Sequence, residues 1–416
     1  MQEGNRGPPV INGQRRAQVK RSAFVRAVSA AGGAAVVAAL GVAGGSAAGA
    51  STHPARHAGA AGAGAGTVYV THVNGASAPV NPKLHTVTPI KDGAARPDIN
   101  VGPWPQSLAV TPNGATVYVA SSGAETPNDK VTPIDTATNK AGPAIKVGEY
   151  PIAVVVTPNG RTAYVANESS SSVTPIDTST NQPGPAIKTG SQPYLLAVTP
   201  DSKTVYVVDG NFVTPIATAT NKAGTPIKVA NDPRAIAITP NGTTVYVASQ
   251  HALTPITVAT NHAGKPIPES NDSAVIAITP DSKTVYVSNE VTETITPVST
   301  ATNTNGQPIN IHGSANSLAI TPNGKTLYAV LDSGSPEEDS AVVPIQTATN
   351  KPGKPITVGY SAEAIAITPN GDDAYVVNYY TPQFESGTVS EIDTATNKVT
   401  ETIAVSPFPY AIVIAP

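Results

Sequence analysis

Cysteine is absent from the chain, which removes disulfides, thiol chemistry and thiolate metal sites together. Charge is scarce too, at 13% of 416 residues, and with one Trp and four Phe the aromatic content rests on fourteen Tyr. Only Arg96, Arg161 and Arg234 represent arginine beyond residue 66, so phosphate and nucleic-acid recognition have few guanidinium forks to use. The formal charge of −3 conceals a division: residues 1–50 hold six cations and one anion, and residues 51–416 hold nineteen cations against twenty-seven anions. That balance disfavours nucleic acid and anionic lipid as partners. Pro (40) and Gly (35) stay below the low-complexity range and show no collagen period, and 40% hydrophobic residues suffice for a large core.

The first fifty residues read as an address. A cationic stretch ending at Arg26 precedes an uncharged run from Ala27 to Thr52, with Ala48-Gly49-Ala50 as a small-residue cleavage site. A single Leu and six Gly make that run a poor permanent anchor, so the mature chain is expected to carry no membrane span. Arg15-Arg16 leaves the twin-arginine and the ordinary secretory routes both open. Residues 51–66, rich in Ala and Gly, read as a flexible tether, and a folded domain is expected over 67–416.

Repetition then decides the fold class. A Tyr inside a short β-prone run returns at Tyr69, Tyr118, Tyr164, Tyr206, Tyr246, Tyr286, Tyr328 and Tyr375, spaced by 40 to 49 residues. Each copy holds four β-prone runs, such as Thr116 to Ala120, Val131 to Ile134, Ala144 to Val147 and Ile152 to Thr157, and none has helical spacing. Four strands in forty-odd residues is the period of a propeller blade. Thr157-Pro158-Asn159-Gly160 closes a hairpin before the Tyr strand, and related turns recur at Pro112, Pro200, Pro240, Pro280, Pro322 and Pro369. Ser202 and Ser282 replace the Gly and predict more strained turns. A loop of the type Asp135-Thr136-Ala137-Thr138-Asn139-Lys140 comes after the third strand in nearly every copy. The domain starts in a Tyr strand and ends, at Ala411 to Ala415, in the strand that normally precedes one, so the last strand is expected to complete the first blade. The reading is an all-β, eight-bladed propeller of four-stranded antiparallel blades.

Runs such as Ala235-Ile236-Ala237-Ile238-Thr239-Pro240-Asn241-Gly242 followed by Val245-Tyr246-Val247 and Thr254-Pro255-Ile256 resemble the YVTN β-propeller repeat family of surface-layer and other exported prokaryotic proteins. The resemblance covers residues 67–416 and implies an extracellular or cell-surface place. Family domains usually have seven blades, which stands as the alternative to eight. The third strand departs by carrying Pro at Pro89, Pro133, Pro175, Pro215, Pro255, Pro297 and Pro344, with Glu391 in the last copy, and should be bulged or bonded on only one edge there. The family supplies no catalytic residues to carry over.

Function is then sought in what does not repeat. The Pro-Asn-Gly turns and Thr-Ala-Thr-Asn loops share one end of the strands, here the bottom; acidic and aromatic exceptions, among them Tyr360, Tyr379, Tyr380 and Phe384, gather at the other, the top. Ahead of each first strand, one residue per copy approaches the mouth: Trp104, Tyr150, Gln192, Asp232, Asp272, Ser314, Ser361 and Phe408. Two positions on stand Gln106, Ile152, Tyr194, Arg234, Ala274, Asn316, Glu363 and Tyr410. Trp104, Tyr150, Tyr194, Phe408 and Tyr410 facing Asp232, Arg234, Asp272 and Glu363 predict a ligand-binding mouth for a cell-wall glycan, a cationic ligand or a surface protein. The expected role is that of a monomeric, non-catalytic binding scaffold without a cofactor. The alternative is a metal-assisted lactonase, hydrolase or lyase at the same mouth, built from Asp232, Asp272 and His312. The seven His are scattered without paired ligand spacing, and Glu337-Glu338-Asp339 reads as a solvated acidic loop.

Overall fold

The computed structural model describes residues 66–73, 85–123, 129–269, 273–331, 338–380 and 386–416. The segment read as an export signal, residues 1–50, and nearly all of 51–66, read as a tether, lie outside them, as do Asp272, Glu337 and Phe384. Among the described residues all regular structure is β, and no helix is long and apolar enough to cross a membrane.

The Tyr118 unit shows how the repeat folds. An inner strand, Pro105–Val110, pairs antiparallel with the Tyr strand, Thr116–Ser121, which pairs with a third strand, Lys130–Asp135. The turn between the first two arises from Thr111-Pro112-Asn113-Gly114. Gly114 takes φ 70° and donates to Thr111 O at 2.8 Å, and Asn113 Oδ1 accepts from Ala115 N at 3.1 Å. Where Ser202 and Ser282 replace Gly, φ stays at 61° and 63°. Each hydroxyl then accepts from the backbone N–H of the preceding unit's turn, Asn159 or Asn241, at 2.9 Å. The strain expected of these turns is thus offset by a bond between units.

The fourth strand differs from the sequence expectation, because it is broken into Lys140–Ala141 and Ile145–Lys146. The cause is Pro133. In an extended strand the N–H and C=O of one residue face the same edge, and Pro133 O accepts from Gly142 N at 2.7 Å on the outer side. The missing N–H therefore faces outward, and the ladder to the Tyr strand continues through the pair Tyr118 and Pro133. The last unit is a natural control. Glu391 replaces Pro, and its outer strand, Lys398–Val405, runs unbroken beside the third strand with only a bulge.

Both faces of each unit are buried. Val117 and Val119 join a cluster with Tyr69, Val413 and Ala415, whereas Tyr118 and Ala120 join one with Val154, Val165 and Ile176 of the next unit. The hydroxyls of seven repeated Tyr reach across units to the Asn of the loop after the next third strand, at 2.6 to 2.7 Å. The eighth, Tyr375, bonds Glu391 of its own unit instead, because the first unit turns tightly at Asp92-Gly93 and offers no Asn.

Among the described residues the hydrogen-bonded sheets number seven, the largest holding two units joined by the continuous strand Ile356–Ile367. The first strand, Thr67–His72, pairs antiparallel with the last, Pro409–Ala415. Side by side, inner strands run in the order Pro409–Ala415, Pro105–Val110, Pro151–Val156, Pro193–Val198, Pro233–Ile238, Ser273–Ile278, Ala315–Ile320 and Ile356–Ile367. Ile356–Ile367 again lies beside Pro409–Ala415.

Candidate binding mouth

Two backbone features recur where each chain segment crosses the top into an inner strand. The first is a left-handed residue. Trp104, Tyr150, Gln192, Asp232, Ser361 and Phe408 all have φ between 48° and 58°, a region that costs a side chain about 1–2 kcal/mol. In the Tyr328 unit the positive φ falls on His312 rather than on Ser314, because His312 N is held by Asn310 Oδ1 at 2.9 Å and the turn comes two residues early. The strained residues are held at both ends: Tyr150 N donates to Asp129 Oδ1 at 2.9 Å, and Tyr150 O accepts from Glu168 N at 2.9 Å. Trp104 O and Phe408 O accept likewise from Ser122 N and Val73 N.

The second feature is a bulge. The inner-strand register slips between Pro105 and Ser107, Pro151 and Ala153, Pro193 and Leu195, Pro233 and Ala235, Ser273 and Ile276, Ala315 and Ser317, and Ala362 and Ala364. Opposite Val70 and His72 it slips at Tyr410 and Ala411. Gln106, Ile152, Tyr194, Arg234, Ala274, Asn316, Glu363 and Tyr410 are therefore the supernumerary or slip residues, and a bulge re-aims the side chain it carries.

The side chains at these positions divide. Tyr194 is buried and its hydroxyl donates to Pro233 O at 2.7 Å, and burial raises its pKa above the usual phenol range. Asn316, fully buried, donates from Nδ2 to Ala362 O at 3.0 Å. Both reach the residue after the left-handed position of the next unit. Arg234 bonds Asp232 at 3.1 Å, with the Arg side chain 16% and the Asp 59% exposed, a pair worth at most about 1 kcal/mol. Trp104, Tyr150, Glu363, Phe408 and Tyr410 are half-buried. Phe408 packs its ring against Tyr379, with centroids 5.4 Å apart and planes tilted by 52°. Asp272 cannot be placed with them, since it lies outside the described residues.

One set of positioning residues escaped the sequence reading. Three residues after the repeated Tyr, a side chain holds the crossover in four units: Ser121 Oγ donates to Val101 O, Ser249 Oγ to Ala230 O and His72 Nδ1 to Pro407 O, while Asp209 Oδ2 accepts from Gly190 N. The signal was present, because His72, Ser121, Asn167, Asp209, Ser249, Asn289 and Asn378 are polar at that position and only Leu331 is not. Burial raises the carboxyl of Asp209, against bonds from Thr214 and Gly190. Burial also lifts Glu269, in the crossover before Ser273–Ile278, to about 7, opposed by a bond from Asn305. Among the described residues no three His, Asp or Glu side chains converge on a metal position.

No family model matches the chain, and no curated protein matches it. Solved structures do. Kuenenia stuttgartiensis hydrazine synthase aligns with a TM-score of 0.56 at 22% identity, over 70% of this chain and 96% of its own. Dihydro-heme d1 dehydrogenase NirN in complex with DHE aligns with a TM-score of 0.70 at 14% identity, over 84% and 75%. The chain is a β-propeller. At these identities the likeness is one of fold, and the propeller's function has to be argued from its own residues.

Proposed function

We propose that the protein is an exported, YVTN-type propeller of eight blades that acts as a non-catalytic binding or cell-surface scaffold, taking a glycan or protein ligand at its top mouth. The blade count is supported by the eight inner strands in lateral succession, the last lying beside the first, and closure by the pairing of Thr67–His72 with Pro409–Ala415. Residues 1–50 are the export signal and 51–66 the tether. Gly66 sits against Ala415 at the bottom, where a Cβ would come within 1.8 Å of Ala415 O, so a tether attached there leaves the top mouth facing away from it.

The observation that carries the functional reading is the contrast between the two ends. At the bottom the repeated Asn and the turn Ser residues are engaged in bonds between units. At the top, left-handed and bulged positions recur while their side chains change from unit to unit, from Trp104 and Tyr150 to Asp232 and Glu363. Backbone strain repeated with varied side chains is what a recognition rim on a fixed scaffold requires. The test is a binding screen of the full chain against cell-wall glycans and surface proteins. Replacing Trp104 and Tyr150 together by Gly, which their φ values accept, should weaken the captured ligand at least tenfold; unchanged binding would remove the mouth from the account.

A further inference from the structure

His72 is the one crossover-holding residue that is an imidazole, and it stands where the two ends of the chain meet. Its side chain is fully buried at the end of the first strand. Nδ1 lies 3.2 Å from Pro407 O, in the crossover to the last strand, and Nε2 lies 2.6 Å from Thr88 Oγ1 on the neighbouring strand Thr86–Lys91. Thr88 Oγ1 lies 2.5 Å from Asp98 Oδ1, and Asp98 Oδ2 accepts from Ser406 Oγ at 2.5 Å. The chain of contacts runs from the amino-terminal strand through its own unit and back to the carboxy-terminal crossover.

Counting hydrogens along it is decisive. A carbonyl only accepts, so Nδ1 carries a proton. Thr88 has one hydroxyl hydrogen and two short contacts, to Nε2 and to Asp98. With Nε2 bare and Asp98 ionised, one of those contacts would set lone pair against lone pair. One additional proton, on Nε2 or on the Asp98 carboxyl, gives every contact its hydrogen. We propose that His72 and Asp98 share one proton through the Thr88 hydroxyl, and that this proton is the latch holding the carboxy-terminal crossover to the amino-terminal strand.

Among the described residues Asp98 is the charged group acting on His72; the remaining neighbours are Thr88, the Pro407 carbonyl and the Ser406 backbone. Burial, the largest influence, holds the imidazole pKa well below its usual range and Asp98 opposes that only in part; it is the hydrogen count along the contacts that gives the extra proton to the pair rather than to the ring alone. Of the equivalent positions in other units, Ser121, Asn167, Ser249, Asn289, Leu331 and Asn378 do not titrate, and only Asp209 is an ionisable group, without an imidazole partner. Removing the shared proton at high pH empties a contact, and adding a second at low pH leaves a buried cation uncompensated. The seam is therefore tightest in between, and the crossover carrying Phe408 loosens on either side.

The test uses the full chain, with His72→Asn, Asp98→Asn and the double variant. Asn occupies the equivalent site in three units, so His72→Asn is accommodated. Melting temperature is followed from pH 4 to pH 10, with imidazole nitrogen shifts assigned by difference from His72→Asn. The proposal expects a bell-shaped contribution that either single variant abolishes and the double variant abolishes no further, and at pH 7 one extra proton carried by either the His72 Nε2 or the Asp98 carboxyl, read from the imidazole nitrogen and carboxyl carbon shifts. A bare Nε2 together with an ionised Asp98 carboxylate at pH 7, or an Asp98→Asn profile parallel to that of the parent protein, overturns it. Both readouts are taken on the protein without ligand, so they are independent of the binding screen that tests the mouth.

Discussion

The phenol of Tyr164 donates to Oδ1 of Asn221, 57 residues later, at 2.7 Å. Asn221 sits in the next unit with φ 52°, so the bond both joins two units and holds a left-handed residue in place. The ring of Tyr164 is fully buried, and desolvation lifts its pKa to about 12, so the hydroxyl remains a donor at all ordinary pH. Tyr164→Phe should cost about 1–2 kcal/mol, because Asn221 keeps an acceptor without a donor. Asn221→Gly keeps the backbone and loses the bond. A double-mutant cycle by equilibrium denaturation should return about 1 kcal/mol of coupling; additive single effects would show that the contact contributes nothing.

Ser202 separates backbone strain from inter-unit bonding. Ser202→Ala keeps the φ of 61° and removes the bond to Asn159 N, so it should destabilise by about 1–2 kcal/mol. Ser202→Gly loses the same bond and relieves the strain, so it should fall within about 0.5 kcal/mol of the parent protein. Denaturation midpoints of the two variants, read side by side, check the ordering.

Outer strands should differ in hydrogen exchange. Where Pro breaks them, as at Lys140–Ala141 and Ile145–Lys146, amides are expected to exchange quickly. The unbroken strand Lys398–Val405 should be protected. Glu391→Pro should abolish that protection and cost about 3 kcal/mol, since it removes a ladder donor and the partner of Tyr375. Exchange that stays slow in this variant would mean that Pro is not what divides the other strands.

Glu269 gives a pH dependence of known sign. Its folded pKa of about 7 lies above the ordinary 4.5, so its favourable contribution is complete below about pH 4.5 and is lost as pH rises through 7. Glu269→Gln should match the parent protein near pH 4 and exceed it at pH 8, by up to about 3 kcal/mol. Melting temperatures at the two pH values suffice.

Much of the unit was legible in the sequence, because its determinants are local. The Tyr period, the Pro-Asn-Gly turns and the one-edged bonding at Pro133 each depend on residues close in the chain. What stayed hidden depends on registration between units. Tyr164 and Asn221 both belong to repeated positions, but nothing local says that one unit's phenol meets the next unit's loop. The same holds at the mouth. Tyr194 reads as a ligand contact from its position, yet its hydroxyl is directed to Pro233 O of the neighbouring unit. His312, rather than Ser314 that aligns with Trp104 and Tyr150, is the left-handed residue of its unit because the Asn310 side chain sets that turn.

Thr67 and Ala415 stand opposite each other in the register of the first and last strands, and the chain has no native cysteine to confuse the result. The double variant Thr67→Cys, Ala415→Cys, oxidised at high dilution, should form one intramolecular disulfide nearly quantitatively and melt at a higher temperature than its reduced form. Thiols that stay free, or that link only between molecules, would contradict a ring closed by its two ends.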